Sequence, residues 1–292
     1  MTHPAGPPMS PGPGGTPPGP PAVCVRHPDR PTGLSCARCG RPACTDCLRE
    51  ASVGYQCVDC VHAGSGQARR GTTVAGAPAR TGRPVVVPVL IALNVLMFAV
   101  TVVQARSVMD VTQGSSVFDA GELVPGRVAQ GEWWRLITSG FLHYGLLHIV
   151  LNMVALWMLG QQLEIALGRG RFLAVYLLSV LGCSTAAMLF YPPAQGLIGA
   201  SGGVFGLLGA FVVLLIRLKL PLSSIVPTIV LNAVISVAVP GVSLVGHIGG
   251  FVVGVAATAA LVYAPRANRT VVQTVALIGL GIVLAALCAV SG

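Results

Sequence analysis

Residues 197–216 read LIGASGGVFGLLGAFVVLLI and residues 244–263 read LVGHIGGFVVGVAATAALVY. As α-helices these uncharged stretches are long enough to cross the ~30 Å hydrocarbon core of a bilayer. Each holds a reactive side chain within its first turns, Ser201 in one and His247 in the other. Intramembrane polar groups are costly and therefore call for a reason. Gly199, Gly202, Gly203 and Gly206 flank the serine, and Gly246, Gly249, Gly250 and Gly254 flank the histidine. Gly250 and Gly254 stand three and seven positions after His247, so the imidazole shares a helical face with small residues that admit a close neighbour. A hydroxyl becomes a useful nucleophile when a base lies about 2.6 to 3.2 Å away, and glycine at a crossing permits that approach.

The rest of the chain has the same character. Of its 292 residues, 53% are hydrophobic and 9% charged, about a third of the charged share of a soluble domain, which argues against a water-soluble enzyme. The net charge of +9 is spread along the chain rather than gathered in one patch, so nucleic acid is not expected as a partner. Spanning segments are expected at Val85–Val103, Phe141–Leu163, Phe172–Phe190, Leu197–Ile216, Leu222–Val239, Leu244–Tyr263 and Thr270–Val290. Pro192 with Pro193, Pro221, Pro240 with Gly241, and Pro265 mark joints between them. The fold class is thus an all-α polytopic membrane protein, with six helices over residues 85–263 and an additional seventh over 264–292. Arg69, Arg70, Arg80 and Arg83, then Arg169 and Arg171, Arg217 and Lys219, and Arg266 and Arg269 fall on one side. The positive-inside rule makes that side cytoplasmic, with the N-terminus inside and the C-terminus outside. A multi-pass protein of a bacterial plasma membrane is the expected setting.

In this topology His148, Asn152, Ser201 and His247 all lie toward the outer leaflet. His148 and Asn152 are four residues apart and project from one helical face, where their donors can meet a developing oxyanion. With these residues the chain resembles the rhomboid family of intramembrane serine proteases. The matching motifs are Trp134-Arg135, His143/His148/Asn152 as H-x4-H-x3-N, and Gly160 with Glu164. Gly199-Ala200-Ser201-Gly202, and Gly246-His247-Ile248-Gly249-Gly250 followed by Gly254, complete the set. The resemblance covers about residues 85–263 and implies a catalytic dyad, Ser201 as nucleophile and His247 as general base. It also implies an oxyanion hole of His148, Asn152 and the Ser201 backbone N–H, with no cofactor for catalysis. Glu164, at the far end of its span from His247, reads as a structural partner for backbone or arginine groups. Phe205 stands where the family packs an aromatic ring on the catalytic imidazole, with tyrosine common there. Trp133, Trp134 and Arg135 suit a structural role at the membrane interface, and the seventh span shows no polar constellation.

Residues 1–22, with nine prolines and no apolar run, are expected to be disordered. Residues 63–84 read as a flexible linker. Between them, over 23–62, seven of the nine cysteines form the pairs Cys24/His27, Cys36/Cys39, Cys44/Cys47 and Cys57/Cys60, each with x2 spacing. Eight soft ligands suffice for two tetrahedral Zn2+ ions, consecutive or alternating pairings both being open, and His62 offers a substitute ligand. The reducing cytoplasm disfavours a disulfide framework. The spacing resembles a B-box-type zinc finger, which implies alternate pairing and a protein partner. Cys183 and Cys288, within spans, read as small apolar residues.

The function expected is an intramembrane endopeptidase that cleaves transmembrane segments of other membrane proteins. Alternatives are a noncatalytic rhomboid-like protein that binds transmembrane helices, and a transporter using histidine relays. The first is disfavoured by the presence of both Ser201 and His247, the second by the lack of titratable groups below His247 other than Glu164.

Overall fold

The computed structural model describes residues 21–67, 71–78, 83–239 and 241–291. The expected disordered tail up to residue 20, and Arg69, Arg70, Arg80 and Pro240, lie outside the described residues. The chain divides into two compact units, Met1–Arg69 and Arg70–Gly292.

In the first unit β1 (Val23–Cys24) pairs antiparallel with β2 (His27–Pro31), and β3 (Leu48–Glu50) pairs with β4 (Tyr55–Cys57). Gly54, at φ +66°, closes the second hairpin, and α1 (Val58–Gln67) follows it. The buried cluster is Cys24, Cys36, Ala43, Cys44, Cys47, Leu48 and Cys57, so five of its seven members are cysteines. Apolar burial on this scale does not hold a unit of this size, and the sulfur groups must supply what the core lacks.

The second unit is helical. Among the described residues six helices are long and apolar enough to cross a membrane: α2 (Val86–Ala105), α6 (Leu146–Leu167), α7 (Arg169–Phe190), α8 (Ser201–Leu218), α10 (Leu244–Val262) and α11 (Arg269–Ser291). Between α2 and α6 the chain folds into the short helices α3 (Ser116–Gly121), α4 (Pro125–Ala129) and α5 (Arg135–Thr138). Buried Arg135 holds this region together, donating to the Asp119 and Glu122 carbonyls at 2.6 Å each and to Glu132 at 2.5 Å. The Trp134 indole donates to the Ala120 carbonyl at 2.9 Å.

The segment expected to span at Leu222–Val239 is shorter than its hydropathy implies. Leu222–Ser224 is a single 3-10 turn, and α9 covers only Val226–Ala238, with Pro227 in its first turn. Thirteen residues rise about 20 Å, short of the ~30 Å apolar core. Proline lacks the N–H that would carry a helix through it, so the helix begins there instead of at Leu222.

The bundle closes around α7, α8 and α10. A Cβ on Gly250 would strike the Gly202 carbonyl, and one on Gly254 would strike the backbone of Gly206, so α8 and α10 touch main chain to main chain. Lipid provides no hydrophobic drive between helices, and such van der Waals closeness is what holds them. At the opposite end of α6, Glu164 is buried and accepts the N–H groups of Val85, Val86 and Val87 at 2.7, 3.0 and 2.9 Å. It thereby satisfies donors at the start of α2 that have no helical partner, and Arg169 lies 3.7 Å from it.

One expectation needs correction here. Residues 72–78 are not a free tether: Thr72 bridges Pro78, Gly76 turns at φ +82°, and Ala75 and Ala77 are buried. The seventh helix is anchored to the bundle through a polar side chain. Buried Gln273 of α11 donates to the Ala75 and Leu261 carbonyls at 2.7 Å each, while its Oε1 accepts from Arg171 Nε at 2.9 Å. The alanines that read as linker composition are small enough to sit against helix ends; Ala77 packs on Gly168.

Candidate active site and metal centres

His148 is the third residue of α6, Ser201 the first of α8 and His247 the fourth of α10, so three helices present these side chains from their first turns. Gly199, at φ +122°, delivers the chain into α8, and its N–H donates to the Ser139 carbonyl at 2.9 Å. A Cβ at Gly199 would lie 2.9 Å from His148 Nε2 and 3.4 Å from Ser201 Oγ, so those two atoms border one small space that only glycine leaves open. Ser201 begins its helix after Ala200, whose side chain cannot cap it, and the first-turn N–H groups have no helical acceptor.

His148 Nδ1 accepts the Tyr144 N–H at 3.4 Å. That contact requires a lone pair on Nδ1, which leaves Nε2, the atom beside Ser201, as the N–H donor. Asn152 Nδ2 donates one hydrogen to the His148 carbonyl at 2.9 Å and retains a second. His143 is fully buried with its ring edge-on to His148 at 5.0 Å, and neither of its nitrogens has a partner among the described residues. The His247 ring, 5% exposed, stacks on Phe205 with centroids 3.9 Å apart and planes at 12°. Its Nδ1 lies 2.7 Å from Ser236 Oγ of α9.

Ser236 escaped sequence reasoning. In α9 a lone serine is ordinary for a membrane helix, and the only available signal was Asn232 one turn before it.

The N-terminal unit gathers its eight expected ligands into two sets, Cys24/His27/Cys44/Cys47 and Cys36/Cys39/Cys57/Cys60. Within each set the ligand atoms lie within 4.8 Å of one another. The pairs therefore alternate, as the B-box resemblance implies. His27 Nδ1 is 3.3 Å from Cys47 Sγ, 3.4 Å from Cys44 Sγ and 3.8 Å from Cys24 Sγ, and Cys39 Sγ is 3.8 Å from Cys57 Sγ. Ligands about 2.0–2.3 Å from a tetrahedral ion are separated by about these distances, so both sets fit such a metal.

Electrostatics point the same way. Backbone N–H groups, that of Cys44 first for Cys24 and that of Cys57 first for Cys36, hold both thiols down to about 6. Burial and the neighbouring thiols push Cys47 up to about 11, and hydrogen bonding with Cys39 together with burial pushes Cys60 up to about 12. Thiolates so crowded oppose one another's ionisation, and a divalent cation at the centre removes the conflict. Arg41, donating to Cys39 Sγ at 3.4 Å, offsets part of the negative charge of the all-cysteine set.

Comparison with known proteins bears on the helical unit. The family model described as Rhomboid domain matches residues 130–264. Rhomboid protease GluP of Bacillus subtilis is 37% identical over 187 residues, 62% of this chain and 36% of that protein. RHOMBOID-like protein 5 of Arabidopsis thaliana is 37% identical over 142 residues, 46% of each chain. Rhomboid protease GlpG of Photorhabdus laumondii is 38% identical over 78 residues, 27% of each. The chain spans less than half the length of these relatives. Ser201, His247, His148 and Asn152 all lie inside residues 130–264, the stretch that matches the Rhomboid domain model.

Proposed function

We propose that the protein is an intramembrane serine endopeptidase that hydrolyses peptide bonds in transmembrane segments of other membrane proteins. One observation carries this reading: Ser201 Oγ and the Nε2–H of His148 share a space at the head of α8, with His247 held on the face of α10 that packs against α8. Ser201 Oγ attacks the scissile carbonyl as its proton passes to His247 Nε2, and a tetrahedral oxyanion forms. His148 Nε2–H, the second hydrogen of Asn152 Nδ2 and the Ser201 N–H stabilise that oxyanion. His247 then gives the proton to the leaving amine, and water hydrolyses the acyl-enzyme.

The N-terminal unit acts as a B-box-like zinc finger with two structural Zn2+ ions and a protein partner, outside the chemistry. The chain lies in a bacterial plasma membrane with the N-terminus cytoplasmic and the C-terminus outside. Purified protein should cleave a single-pass transmembrane substrate in lipid vesicles, and Ser201→Ala and His247→Ala should each abolish cleavage while the bundle stays folded. Undiminished cleavage by Ser201→Ala would rule out the nucleophile. Binding of the substrate without cleavage by the parent protein would favour a noncatalytic helix-binding role.

A further inference from the structure

We infer that Ser236 of α9 is a positioning residue that selects the basic tautomer of His247, an inference that rests on the dyad reading above. Ser236 Oγ has two contacts, both at 2.7 Å: the Asn232 carbonyl one turn earlier in α9, and His247 Nδ1. A hydroxyl carries one hydrogen, and a carbonyl oxygen only accepts. The contact to Asn232 is therefore made by the Ser236 proton, and the contact to His247 is made by Nδ1–H donating into a serine lone pair. Nδ1–H in turn leaves Nε2 with its lone pair. Nε2 is then the ring atom free to take the Ser201 proton, while the opposite tautomer would present an N–H there and have no basicity. Once Nε2 is protonated, the Nδ1–H···Oγ bond becomes charge-assisted and stabilises the imidazolium.

The surroundings support a specific role over packing. Ser236 is the buried residue that α9 contributes, and its buried group is a hydroxyl aimed at a ring that Phe205 already holds in plane. The ring's orientation is thus set from α8 and its tautomer from α9. Among the described residues neither His247 nor Ser236 is hydrogen-bonded to or paired with a carboxylate, so a neutral hydroxyl stands in the orienter's place.

A fluorophosphonate probe tests this without knowledge of the natural substrate. Ser201 Oγ forms the O–P bond, fluoride leaves, and the Oγ proton passes to His247 Nε2. In the full chain in lipid, Ser236→Thr should label at within about twofold of the parent maximal rate. Ser236→Val, isosteric with that threonine, and Ser236→Ala should lower that rate, taken per folded protein, about tenfold or more, with half-saturating probe concentration unchanged. Ser201→Ala and His247→Ala serve as controls. If His247→Ala labels like the parent, the dyad reading fails and this role falls with it. If the controls lose labelling while Ser236→Val and Ser236→Ala label as fast as Ser236→Thr, the dyad stands and the role of Ser236 is overturned.

Discussion

His148 and Glu164 show how one helix places two polar groups for different work. His148 sits in the first turn of α6 with Nε2 turned to Ser201, and Glu164 sits in the last with three backbone N–H groups around it. For the first, loss of a dominant oxyanion donor should reduce the catalytic rate by about 10² to 10³. His148→Ala and Asn152→Ala are expected to lower kcat in that direction, Asn152 less because part of its amide is spent on the His148 carbonyl. Unchanged kcat in the double variant would remove both from the oxyanion hole. For the second, Glu164→Ala leaves buried donors without an acceptor and should cost about 3 kcal/mol of stability. Unfolding in mixed micelles measures this, and Glu164→Gln, which keeps an acceptor oxygen, should lose less.

At the scale of the element, the contact of α8 with α10 decides whether Ser201 and His247 can meet. Gly250→Ala would push a methyl group into the Gly202 carbonyl, one residue from the nucleophile. The helices must part to admit it, at about 1–3 kcal/mol by the usual cost of overpacking. We expect a lower melting temperature and a loss of proteolysis larger than the loss of folded protein. Gly279→Ala in α11, where a Cβ meets nothing within 4 Å, should leave both unchanged. Equal effects from the two substitutions would mean that the α8–α10 crossing is not what sets the dyad.

For the whole molecule, the two units should be separable in function. The N-terminal unit buries chiefly its own cysteines, so its folding free energy should come from metal. Chelator should unfold it, and metal analysis should find two zinc ions per chain. Proteolysis should survive deletion of residues 1–62, and its loss in a well-folded deletion variant would make the unit part of the catalytic machinery. Topology is testable in intact cells with an impermeant thiol reagent. Gln113→Cys, exposed between α2 and α3, should label above the parent background, and Thr72→Cys, exposed ahead of the bundle, should not. The reverse pattern would invert the membrane orientation.

The helices long and apolar enough to cross a membrane, the grouping of the cysteine and histidine pairs in the N-terminal unit and the setting of Ser201 and His247 in the first turns of their helices were legible in the sequence. Each is announced by a local pattern: twenty apolar residues in a row, an x2 spacing that brings two ligands to one metal, a serine or histidine set among glycines. The short α9, the docking of Ala75 on Gln273 and the contact of Ser236 with His247 were not legible, because they depend on what lies opposite. Pro227 is just another residue in an apolar run until it is seen to start α9, and an alanine in a linker looks the same whether it faces water or a glutamine. Ser236 bonds its own helix as membrane serines do; only the fold, by bringing α10 within 2.7 Å, turns its remaining lone pair toward an imidazole. Local chemistry is written along the chain. The direction of a proton shared between two helices is decided only when packing brings donor and acceptor together.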